Sequence, residues 1–569
     1  MKGGRTLLSI VAAGLIALTA CAPQARSGQA GDAGAAREQS RAPKILTIGV
    51  LREHTPFMMY SGSAGPGGSA VGRGIAHDLL VTETDAGTFQ PQLATEQVSL
   101  EKGTWVINSD GTMDTTWKLH QNIKWHDGTP FTSADLVFSA TAQNDRNLPV
   151  RRDPGVELMQ SITAPDPYTF RIHWAEVFVD ADRAPGLTPM PRHLLEDLYN
   201  SDREAFVNSP LFTTQWVGLG PYRMVKWELG SHVEYARFND YYRGRPPLDT
   251  VIVRFLGDPR TMVANILAGE VDVLVSTGVD LDAALDLKRR WEGTDNQVRG
   301  DFTGGVEQFS MQHRAEYARP RNALTNRLVR QAMMHAIDRQ ALTEVMTQGL
   351  APVAEAWFRP SQSIWQELES SIPRYPYNPG RAQQLLTEAG WTRGSDGVLA
   401  HTSGERFEQG IWTQASTMGG ERMISIIADY WKAVGVQPSL ETIPVSRQGD
   451  REFEATLPGP HTIGGNADQL PINRLNSRYT AGPANRWNEK NKGGYLNPRF
   501  DSLSDRLQTT IDARERIAIH RELLQEGLGD VAVMLFHWQV VPTIMLKGVR
   551  THPVAPNLET WDFFYWDKE

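Results

Sequence analysis

Trp117-Lys118-Leu119-His120-Gln121-Asn122-Ile123-Lys124-Trp125-His126-Asp127-Gly128-Thr129-Pro130-Phe131-Thr132-Ser133-Ala134-Asp135-Leu136-Val137-Phe138-Ser139 is the stretch on which the fold turns. Just upstream, Asp110-Gly111 is a tight-turn dipeptide, and Asp114 to Leu119 then alternates as a strand does. Asp127-Gly128 opens a second turn, after which Thr132 or Ser133 caps a helix from about Ala134 to Ala142. Similar punctuation recurs downstream. A helix runs from Leu328 to about Ile337, and Asp338 can cap its successor. Near Tyr377 the signals are sharper: Asn378 suits an N-cap, Pro379 the first helical position, Arg381 to Ala389 a periodic helix, and Gly390 a left-handed stop before Trp391. Toward the N-terminus, Ile45-Leu46-Thr47-Ile48-Gly49-Val50-Leu51 reads as a buried strand, so ordered structure is expected from Lys44. The Gly-rich patch from Gly62 to Gly74 reads as a loop. Strands and helices mix irregularly, which makes this an α/β chain.

At 569 residues the chain is too long for one hydrophobic core and corresponds to about three to four domain-sized units. Its 40% hydrophobic and 22% charged residues describe a soluble globular composition. The formal charge of −9 argues against a nucleic-acid partner, which calls for a basic face. The one cysteine excludes an internal disulfide and any zinc site built on two thiolates. Its position says more. Lys2 and Arg5 form a basic leader, and Leu7 to Ala20 an apolar run of 14 residues, short for a bilayer span and suited to a signal peptide. Leu18-Thr19-Ala20-Cys21 is similar to a bacterial lipobox, which implies cleavage after residue 20 and a lipidated Cys21. Removing residues 1–20 takes away two positive charges and no acids, so the formal charge goes from −9 to −11. Residues 22–43 are almost all Ala, Gly, Gln, Ser and Arg, the composition of a flexible tether. An ordinary secretory signal with an incidental cysteine is the alternative.

Catalytic signatures are absent. The sequence holds no His-Glu-x-x-His, no Gly-x-Ser-x-Gly and no Gly-x-x-x-x-Gly-Lys loop. Gly65-Pro66-Gly67-Gly68-Ser69-Ala70 imitates a dinucleotide fingerprint only loosely, and a plain loop is the better reading. The 14 histidines are scattered, without metal-ligand spacing, so no metal and no cofactor is expected. Asp280 and Asp282 read as a solvated face rather than as glycosidase carboxylates.

Six segments in order carry a resemblance. The Trp117–Ser139 stretch is similar to the signature of the extracytoplasmic solute-binding proteins of ABC importers, the oligopeptide, dipeptide and nickel type (solute-binding protein family 5). Gly218-Leu219-Gly220-Pro221-Tyr222 with Asn239-Asp240-Tyr241-Tyr242-Arg243-Gly244 resembles the family's next pair of motifs. Ala268-Gly269-Glu270-Val271-Asp272, Val329-Arg330-Gln331-Ala332 with Ala336-Ile337-Asp338-Arg339, and Asn378-Pro379 with Leu385-Leu386-Thr387-Glu388-Ala389-Gly390-Trp391 follow, then Asn497-Pro498-Arg499-Phe500-Asp501. The resemblance spans about residue 45 to the C-terminus. It implies a periplasmic-binding-protein-like two-lobe α/β clamshell with an additional domain on the first lobe. By analogy residues 44–74, 211–305 and 540–569 form lobe I, 75–210 the extra domain and 306–539 lobe II, after a signal peptide over 1–20 and a tether over 21–43.

The resemblance also implies what the protein does. It is expected to be a monomeric, non-enzymatic, lipid-anchored binding component that captures a peptide-like solute by lobe closure and hands it to an ABC permease and ATPase complex. In peptide-binding members an aspartate in an Ala-Asp-x-x-Pro-like segment pairs with the peptide's α-ammonium, and Ala467-Asp468-Gln469-Leu470-Pro471 matches that place. Here Gly464, Gly465 and Asn466 precede Asp468, where the family has aromatics and a second Asp-Pro. Phe309-Ser310-Met311-Gln312-His313 stands where the family's strand enters the cleft, which makes Phe309, Met311 and His313 pocket candidates. Trp412 is expected on a second-lobe strand at the cleft. With 16 Trp in the chain, an oligosaccharide-binding or other solute-binding member is the first alternative. A secreted hydrolase, or a sensory or chaperone-like protein without a transport role, is the alternative of another class.

Overall fold

The computed structural model describes residues 42–53, 68–84, 88–148, 154–183, 187–275, 278–415, 417, 419–447, 449–464 and 470–553 together with 560–569. Cys21 and Asp468 lie outside the described residues, as do the whole expected signal peptide and residues 21–41 of the tether. Ordered structure begins where the apolar run predicts: Ile45–Val50 is a strand whose Leu46, Ile48 and Val50 are buried.

That strand sits inside a sheet of ten strands among the described residues. In spatial order they are Gln437–Ile443, Glu408–Gln414, His461–Ile463, Gln297–Ser310, Val533–Met545, Val273–Leu274, Ile45–Val50, Thr250–Phe255, His232–Arg237 and Tyr222–Glu228. The sheet is mixed: parallel pairs (Ile45–Val50 with Thr250–Phe255, Glu408–Gln414 with Gln437–Ile443) occur in blocks between antiparallel ones. A second, antiparallel sheet orders Trp105–Ile107, Met113–Lys118, Thr169–Trp174 and Met159–Asp166, and helix Ser133–Asn144 packs on it.

The local readings account for these elements. Ser133–Asn144 starts at a capping box in which the Asp135 carboxylate accepts from the Thr132 N–H at 2.8 Å. Asn326, Asp338 and Asn378 accept from backbone N–H groups at the starts of helices Arg327–His335, Arg339–Thr347 and Pro379–Glu388, and Gly390 takes φ 85° past the last of these. One expectation fails. Gly68–Ala76, assigned to a Gly-rich loop, is a helix that places Val71, Ile75 and Ala76 in the core. Its glycines serve close packing rather than turning: a Cβ on Gly74 would stand 2.3 Å from the Thr560 carbonyl oxygen.

Apolar side chains gather into five cores among the described residues. Two draw on residues between Val306 and Trp538 alone, one on each side of the long strands. A third fills the second sheet with Trp117, Trp125, Phe170 and Trp174. The other two belong to the opposite end of the large sheet, and the larger of them also takes in Phe138, Tyr199 and Phe206.

Candidate functional site

The motifs that carry the resemblance meet in space as scaffold. His126 and the Gly218-Leu219-Gly220 turn lie 92 residues apart in sequence, yet the His126 Nδ1 accepts from the Gly218 N–H at 3.1 Å and its Nε2 donates to the Gly220 carbonyl at 3.0 Å. The glycines are required because a Cβ on Gly220 would lie 2.4 Å from the backbone at Ala76 and His77. Tyr241 donates to Asp78 at 2.7 Å, and burial lifts the Asp78 carboxyl to about 6. Arg330, buried on helix Arg327–His335, donates to the carbonyls of Leu324, Asp530 and Val531.

Two long strands, Gln297–Ser310 and Val533–Met545, run antiparallel through the middle of the sheet and connect its two ends. Their register is regular from Gln297 opposite Met545 to Phe302 opposite Val540, then breaks: residues 303–305 face Gln539 alone before Val306 meets Trp538. Glu307 lies opposite His537, and Phe536 is skipped before Gln308 meets Leu535. Such bulges bend and locally unpair a ladder, so this is where the strand pair is most easily flexed.

The predicted pocket residues flank the Glu307 end of this pair without converging. Phe309 is fully buried, 4.8 Å centroid to centroid and edge-on to Phe536, inside the core that also holds Trp431. Met311 is buried in the same core and also borders, with His313, a cavity of about 20 Å³. That is room for one water rather than a solute. The His313 Nε2 donates to the Ala532 carbonyl at 2.9 Å, and burial, helped by Arg330, pushes its pKa down to about 3, so the ring is neutral. Trp412 is paired with Glu441 on one side and His461 on the other, and His461 is in turn opposite Ser310. Its indole is edge-on to Phe453 at 6.1 Å, and its buried Nε1 has no hydrogen-bond partner among the described residues. Asp468 follows Gly464, the last described residue on that side, at which a Cβ would stand 2.7 Å from the Gln539 Nε2.

Sequence reading passed over the polar residues beside Gly464. Glu307 accepts from the Gln539 Nε2 at 2.6 Å, and burial raises its carboxyl above the usual range. An acid between Val306 and Phe309, in a segment otherwise suited to burial, is the one local signal that could have drawn attention to it.

The ion pair Arg422–Asp282 (2.7 Å) joins helix Gly420–Ala433 to helix Leu281–Arg290. The Val179 N–H donates to the Gln508 carbonyl at 3.3 Å, and Ile511 packs against the core of the second sheet. No helix of the described residues is long and apolar enough to cross a membrane, and none of their His, Cys, Asp and Glu side chains form a group of three or more fit to hold a metal ion.

Comparison with known proteins agrees with this architecture. The oligopeptide-binding protein AppA of Bacillus subtilis is 23% identical over 465 residues, 79% of this chain and 81% of AppA. Heme-binding protein A of Haemophilus influenzae is 26% identical over 519 residues, 85% of this chain and 87% of that protein. The crystal structure of NikZ from Campylobacter jejuni with Ni(L-His) superposes with a TM-score of 0.72 at 19% identity, covering 93% of this chain and all of NikZ. The fold is the α/β two-lobe clamshell of periplasmic binding proteins with an additional domain on the first lobe. Residues 88–480 match the family described as bacterial extracellular solute-binding proteins, family 5 (middle), and the chain therefore belongs to that family of extracytoplasmic ABC-importer binding proteins.

Proposed function

We propose that this protein is the lipid-anchored receptor of an ABC importer, that it captures a peptide-like solute by closing its lobes, and that it delivers the closed complex to the permease. It is a binding protein and not an enzyme. Cys21 carries the lipid, residues 22–43 are the tether, and the folded body works as a monomer outside the membrane. Residues 44–74, 211–305 and 540–569 form lobe I, 75–210 the extra domain and 306–539 lobe II. The distribution of cores supports this partition: the buried residues of two lie only between Val306 and Trp538, whereas two others combine residues of the extra domain and lobe I.

The observation that carries the closure reading is the strand pair with its broken register at residues 303–305 and Gln539. Lobes joined by two bendable strands rotate as rigid bodies, and a solute touching both binds the closed form better. Under this partition the Arg422–Asp282 pair and the Val179–Gln508 hydrogen bond span the cleft at two places on its rim.

A peptide is favoured over the haem or nickel chelate of other relatives by Asp468, in the segment that matches the family's ammonium-binding aspartate. Phe309, Met311, His313 and Trp412 are assigned to the same ligand-binding cleft. A desolvated carboxylate facing an ammonium orients its ligand, and losing either partner costs on the order of 3–5 kcal/mol. Calorimetric titration with Ala-Ala-Ala and with its N-acetylated form is the test. Asp468→Ala is expected to weaken the free peptide far more than the acetylated one, and equal losses would remove Asp468 from this role. An oligosaccharide-binding member is the second reading; its support is the chain's 16 Trp, and it predicts no response to either peptide.

A further inference from the structure

At the break between the two long strands, three polar side chains share one face. Residues directly opposite in an antiparallel ladder point to the same side with Cβ atoms roughly 5 Å apart, which puts the Glu307 carboxylate beside the His537 ring. Gln539, two residues after His537, lies on that side too and donates to the Glu307 Oε1 at 2.6 Å. This uses one carboxylate oxygen. The other, Oε2, is buried without a hydrogen-bond partner among the described residues.

His537 leaves a second acceptor unused. Its Nδ1 lies 3.1 Å from the Trp538 carbonyl, which can only accept, so the proton is on Nδ1 and Nε2 carries a lone pair. Burial lowers the pKa of this ring, which keeps it neutral, and the residue is only 6% exposed. Nε2 also has no partner among the described residues, so Glu307 and His537 are not bonded to each other. The amide oxygen of Gln539 is a third acceptor on the same face. Buried acceptors left unmatched are costly, and two together on one face of the strand pair mark a place for a donor. Glu307 and Gln539 are half-buried, so the edge of the group meets solvent, while the Glu307 Oε2 and His537 Nε2 atoms themselves are buried.

We propose that Glu307, His537 and Gln539 form a subsite for an ammonium or guanidinium group of the solute, the charged end of a lysine or arginine side chain when that solute is a peptide. The inference deepens the solute-binding reading given above, because the subsite lies where the two lobes join. A primary ammonium offers three N–H donors and a guanidinium five, matching a set that consists of acceptors. A carboxylate or phosphate would meet a carboxylate here and be repelled. Two titratable ligands are too few for a metal ion, which takes four or more. Gly464 packs against the group, and a side chain there would press on Gln539 and Glu307.

The test uses the full chain and five probes: n-butylammonium, n-butylguanidinium, n-butanol, and the peptides Ala-Lys-Ala and Ala-norleucine-Ala. Thermal shift is expected to show stabilisation by the two cations and none by butanol, and Glu307→Gln, which keeps the shape, is expected to abolish it. By calorimetry Ala-Lys-Ala should bind at least tenfold more tightly than its norleucine analogue, with that ratio lost in Glu307→Gln and reduced about fivefold in His537→Leu. Binding of the cations without either peptide would retain the subsite and discard the peptide reading. A lysine preference that survives in Glu307→Gln and His537→Leu, no cation effect in the wild type, or a stoichiometric Ni²⁺ site abolished by Glu307→Gln would each overturn the proposal.

Discussion

Replacing His126 with alanine should lower the protein's stability by about 4 kcal/mol at neutral pH. The ring receives the Gly218 N–H and donates to the Gly220 carbonyl, at 3.1 and 3.0 Å, and both glycines are buried. Truncation orphans one donor and one acceptor at about 1–3 kcal/mol each, or roughly 2–6 kcal/mol together. A second signature distinguishes this account from simple loss of packing. The His126 pKa falls from 6.5 to about 4, with burial as the main cause, so the folded protein holds the ring neutral while the unfolded chain protonates it. The stability it contributes is therefore complete above pH 6.5 and is lost as pH falls from there toward 4. Linkage gives about 1 kcal/mol of loss between pH 6.5 and 5.5, a dependence that His126→Ala should lack. Urea titrations followed by far-UV circular dichroism at pH 7.5, 6.5 and 5.5 measure both effects. Amide exchange read by mass spectrometry should speed up over residues 216–222 in the variant. A loss under 1 kcal/mol, or an undiminished acid dependence in His126→Ala, would refute the tautomer and the bridging role.

Three further outcomes are expected. Gly220→Ala forces a Cβ to within 2.4 Å of backbone that cannot rotate away, and should cost at least about 3 kcal/mol or prevent folding, read as lost soluble yield and a lowered Tm. Arg422→Ala removes an ion pair whose side chains are 51% and 55% exposed, worth about 0–1 kcal/mol, so solute affinity should fall no more than about fivefold in calorimetry. Cys21→Ser should move the protein from the membrane fraction to the soluble one without changing solute binding, and continued membrane retention would contradict lipidation.

Much of the architecture was legible because its signals are local. Thr132 with Asp135, Asn378 with Pro379, and Gly390 each mark a helix end through backbone geometry that neighbours in sequence determine. Gly68–Ala76 misled for the same reason: its Gly74 answers to Thr560, almost 500 residues away, which no local reading reaches. The candidate pocket was less legible. Phe309 and His313 lie on the expected strand and just beyond its end, but their packing against Phe536 and Ala532 depends on a strand more than 200 residues later. Glu307, His537 and Gln539 become a group only through the pairing of the two long strands and the bulges in that pairing.

A solute-binding protein of this kind holds its solute and does not transform it. Native mass spectrometry of gently purified full-length protein tests it most directly. The account predicts a one-to-one adduct with a small molecule, recovered chemically intact on denaturation and carrying a free amino or guanidino group. An empty mass in every preparation, or a solute released as hydrolysis fragments, would contradict it.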